Sequence, residues 1–379
     1  MRKRLTVLLL SAAAALALCG CGSLFEKEYV YIADYAPAVQ DGPSEGERVT
    51  VRNLEELKQA ILNQVAEGKE ESSVYFDTDY EGRAAEDLSS ACWQLRTQDA
   101  LCAYCVENIS YELNKIVAYF EARVSVDFSD VWPGADRIVK MQYSTGLEET
   151  VKDAIQRGET KLVVLVNRSS YSAENMENIV SRVYRKYPAS APKEPKTTVK
   201  MFSGTGLQRL YEINISYGLS AGELELRRGQ MAEIDPFAEL DPAGMGQAEL
   251  ALEACRYLVE NCSYTDDAQY NDIYSALVRR QANGEGLAFA YAELCRRLGI
   301  NCQIVYGQLS WEDYSWNIVR IDGEYYHVDL GRCIASGLES GFLLSDQALW
   351  DDHRWDVSAY PRCTGTANFD NLENLDETG

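Results

Sequence analysis

The stretch Gly284-Glu-Gly-Leu-Ala-Phe-Ala-Tyr-Ala292, with Leu298-Gly-Ile-Asn-Cys302 just beyond it, decides the architecture of the last third of the chain. Gly284 and Gly286 open a helix whose apolar positions include Leu287, Tyr291, Leu294 and Leu298. Gly299 stands at the position after the last turn, where a left-handed residue ends a helix. Strands are expected next, at 303–306 and 316–321. Asp322-Gly323 then makes a two-residue hairpin turn into a strand over 324–330. A helix backed by an antiparallel hairpin is an α+β layout.

Three blocks in this region resemble the transglutaminase-like superfamily, which shares a papain-like Cys-His-Asp architecture. The first joins Tyr274-Ser-Ala-Leu-Val278 to the helix and Cys302 just described. The second is Tyr314-Ser-Trp-Asn-Ile-Val-Arg-Ile-Asp-Gly323, and the third is Tyr325-Tyr-His-Val-Asp329. Phe342-Leu-Leu-Ser-Asp346, His353-Arg-Trp-Asp356 and Tyr360-Pro361 also fit bacterial members. The resemblance implies a helix packed on an antiparallel sheet over 245–365. It also implies a thiol at the helix start, a His base on the next strand and an Asp that orients the base.

Matched position by position, this sequence has Ala288 for the Cys, Tyr314 for the His and Asp329 for the Asp. Alanine has no nucleophile, and a tyrosine with a pKa of about 10 is a poor base at neutral pH. No catalytic residue is therefore expected. The resemblance then implies a pseudoenzyme that binds or assembles at the cell envelope. The other reading is an active cysteine amidase, peptidase or acyl transferase that uses a remote thiol, Cys295 or Cys302. Cys295, seven residues after Ala288, falls about two turns deeper on the same helix face. Alternation puts Tyr314 and Trp316 on one strand face, and likewise His327 and Asp329. These four are the binding candidates. A His327–Asp329 pair is open to them but has no nucleophile, and both His327 and His353 read as structural.

Upstream, the chain looks duplicated. Asn53-Leu-Glu-Glu-Leu-Lys-Gln-Ala-Ile61 and Gly146-Leu-Glu-Glu-Thr-Val-Lys-Asp-Ala-Ile155 both start amphipathic helices with acids in the first turn. Each leads to an apolar strand (74–76 and 162–166), a second helix (84–95 and 173–187) and an alternating strand. The expected units are 49–130 and 140–220. The first has an extra helical stretch at 101–114, and the second a Pro- and Lys-rich loop at 188–200. Ser203-Gly204-Thr205-Gly206 lacks the Lys of a phosphate loop and reads as a turn. A linker around Pro236 and Pro242 precedes a helix at Gln247–Asn261.

The chain opens with Arg2, Lys3 and Arg4, an apolar run to Leu18, and then Cys19-Gly20-Cys21. This is a secretory signal, too short to span a membrane comfortably. Its end resembles the lipobox of bacterial lipoproteins, with Gly20 as the small residue before Cys21. That resemblance implies removal of 1–20, a lipid on Cys21, and a tether over 21–48. The expected location is the extracytoplasmic side of the cell membrane. Residues 366–379 form an acidic tail.

Of the 379 residues, 46% are hydrophobic, which fits a folded multidomain chain. The net charge is −23, or −26 once Arg2, Lys3 and Arg4 are removed. That balance opposes a nucleic-acid partner. Envelope peptides, proteins or glycans are the expected partners. With only two His, no three-His metal site exists, and no cofactor or metal is expected. Nine cysteines remain besides Cys19 and Cys21, in a compartment that permits disulfides. Cys255/Cys262, Cys295/Cys302 and Cys333/Cys363 are plausible pairs by proximity, although spacing does not fix pairing. Cys102-Ala-Tyr-Cys105 lacks the preceding strand of a redox motif and reads as buried thiols or a structural bridge.

Overall fold

A computed structural model describes residues 49–116, 119–367 and 369. The signal segment, Cys21, the tether and the acidic tail from 370 onward lie outside the described residues. Within them the chain is a mixed α/β structure ending in the α+β domain expected from the sequence.

The first unit runs β1 (Val49–Val51), α1 (Leu54–Ala66), β2 (Glu71–Phe76), α2 (Ala84–Gln98), α3 (Ala100–Cys105), β3 (Val106–Ile116) and β4 (Tyr119–Phe128). The second runs β5 (Ile138–Tyr143), α4 (Leu147–Arg157), β6 (Lys161–Arg168), α5 (Ala173–Lys186), β7 (Lys196–Ser203) and β8 (Arg209–Ser216). Their sheets have the orders β1-β2-β4-β3 and β5-β6-β8-β7, each with one parallel pair followed by two antiparallel pairs. The sequence reading missed the short first strand of each unit. It also placed 101–114 in a helix, whereas helix ends at Cys105. Beyond it, Ile109, Tyr111 and Leu113 alternate with polar residues and pair with β4, so the period of two prevails.

The two first helices start by different means. The Asn53 side chain accepts from the Glu56 N–H at 2.9 Å, whereas Gly146 turns the chain with φ 88°. The Ser203–Gly206 turn joins the units: the Thr205 N–H and hydroxyl both donate to the Gln98 carbonyl.

The last domain follows α6 (Ala221–Ala232). It runs α7 (Gln247–Asn261), β9 (Ser263–Tyr264), α8 (Ile273–Leu277), β10 (Gln281–Ala282) and α9 (Gly284–Arg297). Then come β11 (Asn301–Leu309), β12 (Glu312–Ile321), β13 (Glu324–Val328), α10 (Leu330–Ser336), α11 (Asp346–Leu349) and β14 (His353–Trp355). The sheet is antiparallel throughout, in the order β13-β12-β11-β14. Asp322 (φ 51°) and Gly323 (φ 94°) form the hairpin turn between β12 and β13, with the left-handed pair that a two-residue connection needs. Gly299, at φ 73°, ends α9 as expected. The helix buries Leu287, Phe289, Tyr291 and Leu294, and the Phe289 ring meets Tyr184 of α5 edge-on at 5.3 Å. One core therefore runs from the second unit into the last domain. Among the described residues no helix is long and apolar enough to cross a membrane.

Candidate functional site

The Asn283 side chain caps α9, accepting from the Gly286 N–H at 3.1 Å, so the helix begins at Gly284. Gly284 faces β12. A Cβ added there would lie 2.4 Å from Cε2 of Tyr314 and 3.0 Å from the Ser315 carbonyl oxygen. Ala288, the position matched to a nucleophile above, sits one turn further in and is buried. The Asn317 amide donates to its carbonyl at 3.0 Å. This corrects the sequence alignment: the residue at the helix start, against the tyrosine, is Gly284. The signal was present in the sequence, because Asn283-Gly284 marks the helix start four residues before Ala288.

Tyr314 occupies the space that two glycines leave open. Its hydroxyl would lie 2.3 Å from a Cβ at Gly331, on the side away from Gly284. That hydroxyl donates to Oδ1 of Asp329 at 2.6 Å. Burial, and then the adjacent Asp329 carboxylate, hold the phenol far above its usual pKa. Tyr314 therefore keeps its proton and points it at Asp329, which leaves it no capacity to act as a base. Asp329 ends its strand as the N-cap of α10, where Oδ1 also accepts from the Arg332 N–H at 3.2 Å.

The two histidines lie behind this pair, sealed from solvent. The Trp316 indole donates to Nδ1 of His327 at 2.9 Å, so the proton of His327 sits on Nε2, 3.1 Å from Oδ1 of Asp346. Burial lowers the His327 pKa to about 4 despite that carboxylate, which keeps the ring neutral at pH 7. Oδ2 of Asp346 accepts from Arg362 Nε at 2.6 Å. His353 bonds Asp352 through Nδ1 at 2.7 Å. Its Nε2 lies 3.2 Å from Oδ2 of Asp329 but is not aligned for a hydrogen bond. The expected His327–Asp329 pair is thus not made. Both residues join one cluster, but His327 bonds Trp316 and Asp346 while Asp329 bonds Tyr314. The sequence marked Asp346 only as the end of a family-like block and gave no sign of Arg362; the tertiary fold brings Asp346 to His327 and Arg362 to Asp346.

His327, Asp346 and Cys363 are close enough together to suggest three ligands for a metal ion. Both ring nitrogens of His327 are already hydrogen-bonded, Asp346 is held by Arg362, and burial pushes the Cys363 thiol up, keeping it protonated. The donor set fits a hydrogen-bonded core better than a cation.

Of the four binding candidates, only Tyr314 lines an opening. Trp316 is 1% exposed, and His327 and Asp329 are fully buried, so these three pack the core and present nothing to a ligand. The opening is a cleft of about 700 Å³ between the start of α9 and the ends of β11 and β12. Tyr264, Tyr306 and Tyr314 supply aromatic wall, while Asp266, Glu285, Glu312 and Asp313 supply carboxylates. No Lys, Arg or His is among its lining residues. Burial raises the Glu285 pKa, opposed by the Asn271 amide that donates to it at 3.1 Å.

Residues 239–330 match the family model described as the transglutaminase-like superfamily. The chain carries a transglutaminase-like domain. Solved structures with detectable likeness include a TGase at 9% identity, covering 51% of this chain and 58% of that one, with a TM-score of 0.26. A chain from Cytophaga hutchinsonii assigned as a cysteine protease aligns at 11% identity over 39% of this chain and 66% of its own, at TM-score 0.21. One from Parabacteroides distasonis assigned as a protease aligns at 11% identity over 56% and 49%, at TM-score 0.20. This chain thus spans about half to two thirds of each of those chains. No curated protein matches it. In the transglutaminase-like domain, none of the described cysteines lines the cleft. Cys295 is buried within α9, as its spacing predicts, and burial pushes the Cys302 thiol well above its usual value.

Proposed function

We propose that this chain is an extracytoplasmic lipoprotein, anchored through Cys21, whose transglutaminase-like domain binds peptide without reacting with it. The observation that carries this reading is Gly284. The helix start, where the positive end of the helix dipole favours a thiolate, faces Tyr314 with no side chain at all. Tyr314 fills the gap and donates a hydrogen bond to Asp329, so nucleophile and base are both missing. What is left is an open cleft with tyrosine walls and four carboxylates, a surface suited to an extended segment bearing Lys or Arg. The two upstream units, with one strand order between them, read as a repeated spacer that holds this domain away from the tether.

The test is a binding and turnover assay on the full chain. A Lys-rich peptide should bind, a Glu-rich peptide of equal length should not, and added salt should weaken binding. Amide hydrolysis or acyl transfer by the unmodified chain that thiol alkylation abolishes would overturn the reading. For the anchor, Cys21→Ser should release the protein from the membrane fraction. Unchanged membrane association would refute a lipid on Cys21.

A further inference from the structure

The buried hydroxyl of Tyr291 donates to the Ala251 carbonyl at 3.0 Å, in a region that also holds Cys255 of α7, Cys295 of α9 and Cys302 of β11. A fourth, Cys333 of α10, lies against Cys255, with the two Sγ atoms 3.8 Å apart. Gly341 makes room for the Cys333 sulfur, since a Cβ there would come within 2.7 Å of it. Both cysteines are buried, at 0% and 1% exposure. Proximity in sequence suggested other partners. In the structure Cys262 directs its thiol to the neighbouring Ser263 carbonyl and Cys363 to that of Pro361, so neither meets its expected mate.

We propose that Cys255 and Cys333 form a disulfide in the mature protein, covalently joining α7 to α10. Their sulfurs stand roughly 2 Å further apart than in a disulfide, a gap that side-chain rotation on two packed helices closes. In the reaction both thiols give up their protons and one S–S bond forms. The two electrons pass to a low-molecular-weight disulfide such as cystine, which is cleaved to two thiols. Burial pushes the Cys255 thiol well above its usual pKa once the domain is folded, so the bond forms while α7 and α10 are still closing and is shielded from reductant afterwards. The lipoprotein reading supplies an oxidising compartment, but the chemistry needs only the two sulfurs and an oxidant. The bond closes a loop of 78 residues, long enough to restrict the unfolded chain far more than a link to Cys262 would. It also braces α10, whose N-cap is the Asp329 that holds Tyr314 at the cleft.

The experiment is peptide mapping of the full chain, refolded from the reduced state in a cystine/cysteine buffer. Free thiols are trapped by alkylation in denaturant before digestion. The expected result is a linked peptide joining Cys255 and Cys333, with the intact mass short of one pair of hydrogens. The melting midpoint should exceed that of the dithiothreitol-treated chain and that of Cys333→Ala. The double variant Cys255→Ala/Cys333→Ala should melt at the same temperature with and without reductant. Alkylation of both cysteines in a chain with native circular dichroism would overturn the proposal. So would a link from either one to a different cysteine.

Discussion

Tyr314 and Trp316 lie two residues apart on β12, on one face, with their rings stacked at 6.3 Å, yet their surroundings differ sharply. Tyr314 looks into a cleft ringed with carboxylates and backed by two glycines. Trp316 is closed in by His327, His353 and Trp355, and its one polar atom is hydrogen-bonded. The titratable ring nitrogens that chemistry at neutral pH would need are all on the sealed side, while the side that solvent reaches has none. Both histidines therefore lie out of reach of the cleft. Here they serve a hydrogen-bonded core, where an unmade bond would cost about 1–3 kcal/mol.

That contrast predicts where substitutions hurt. Trp316→Ala empties the sealed side and strands Nδ1 of His327, and should lower unfolding free energy by about 3–5 kcal/mol in urea melts. A loss below ~1 kcal/mol would mean the cluster is not the rigid end of the sheet. The same cluster should carry a pH signature. His327 titrates near 6.5 when unfolded and at about 4 when folded, so the unfolded chain takes up the proton first. Its contribution is complete above pH ~6.5 and fades as pH falls toward ~4, about 3 kcal/mol in all. Melts of wild type and His327→Gln across that range should differ by this slope. Parallel curves would show that His327 is not sealed.

The cleft side should respond more mildly. Gly284→Ala drives a methyl into Tyr314 and should cost about 1–3 kcal/mol. In the Tyr314→Ala background the same change should cost less, because only the Ser315 carbonyl still crowds the methyl, giving a coupling of ~1–2 kcal/mol in a double-mutant cycle. Additive losses would mean that Gly284 and Tyr314 do not share the space. The mildest change is at the hairpin tip beside the cleft. Trp311 is 76% exposed and sits at φ 73°, a left-handed conformation that is strained for a tryptophan. Trp311→Gly should raise stability by up to ~1 kcal/mol. If Trp311 forms part of the ligand surface, the same variant should weaken peptide binding; unchanged binding would confine that surface to the cleft.

Much of this was legible in the sequence, because it is local. The capping Asn283, the helix period to Leu298, the stop at Gly299 and the Asp322-Gly323 turn are set by backbone conformation and nearest neighbours. So was the depth of Cys295, which follows from 3.6 residues per turn. The alignment that put Ala288 at the helix start went wrong by one turn. Residue matching alone weighed Ala288 above the helix start that Asn283-Gly284 marks.

The sequence by itself determined the transglutaminase-like domain, the paucity of histidine and the absence of a thiol in the residues that open α9. These are properties of composition and short-range pattern. Only the tertiary structure decided which side chains meet. It brought Asp346, 19 residues away, to His327, and set Cys333 beside Cys255 across 78 residues. It also placed Tyr314 between Gly284 and Gly331. Such contacts depend on how helices and sheet close on one another, and a linear spacing carries no record of that closure.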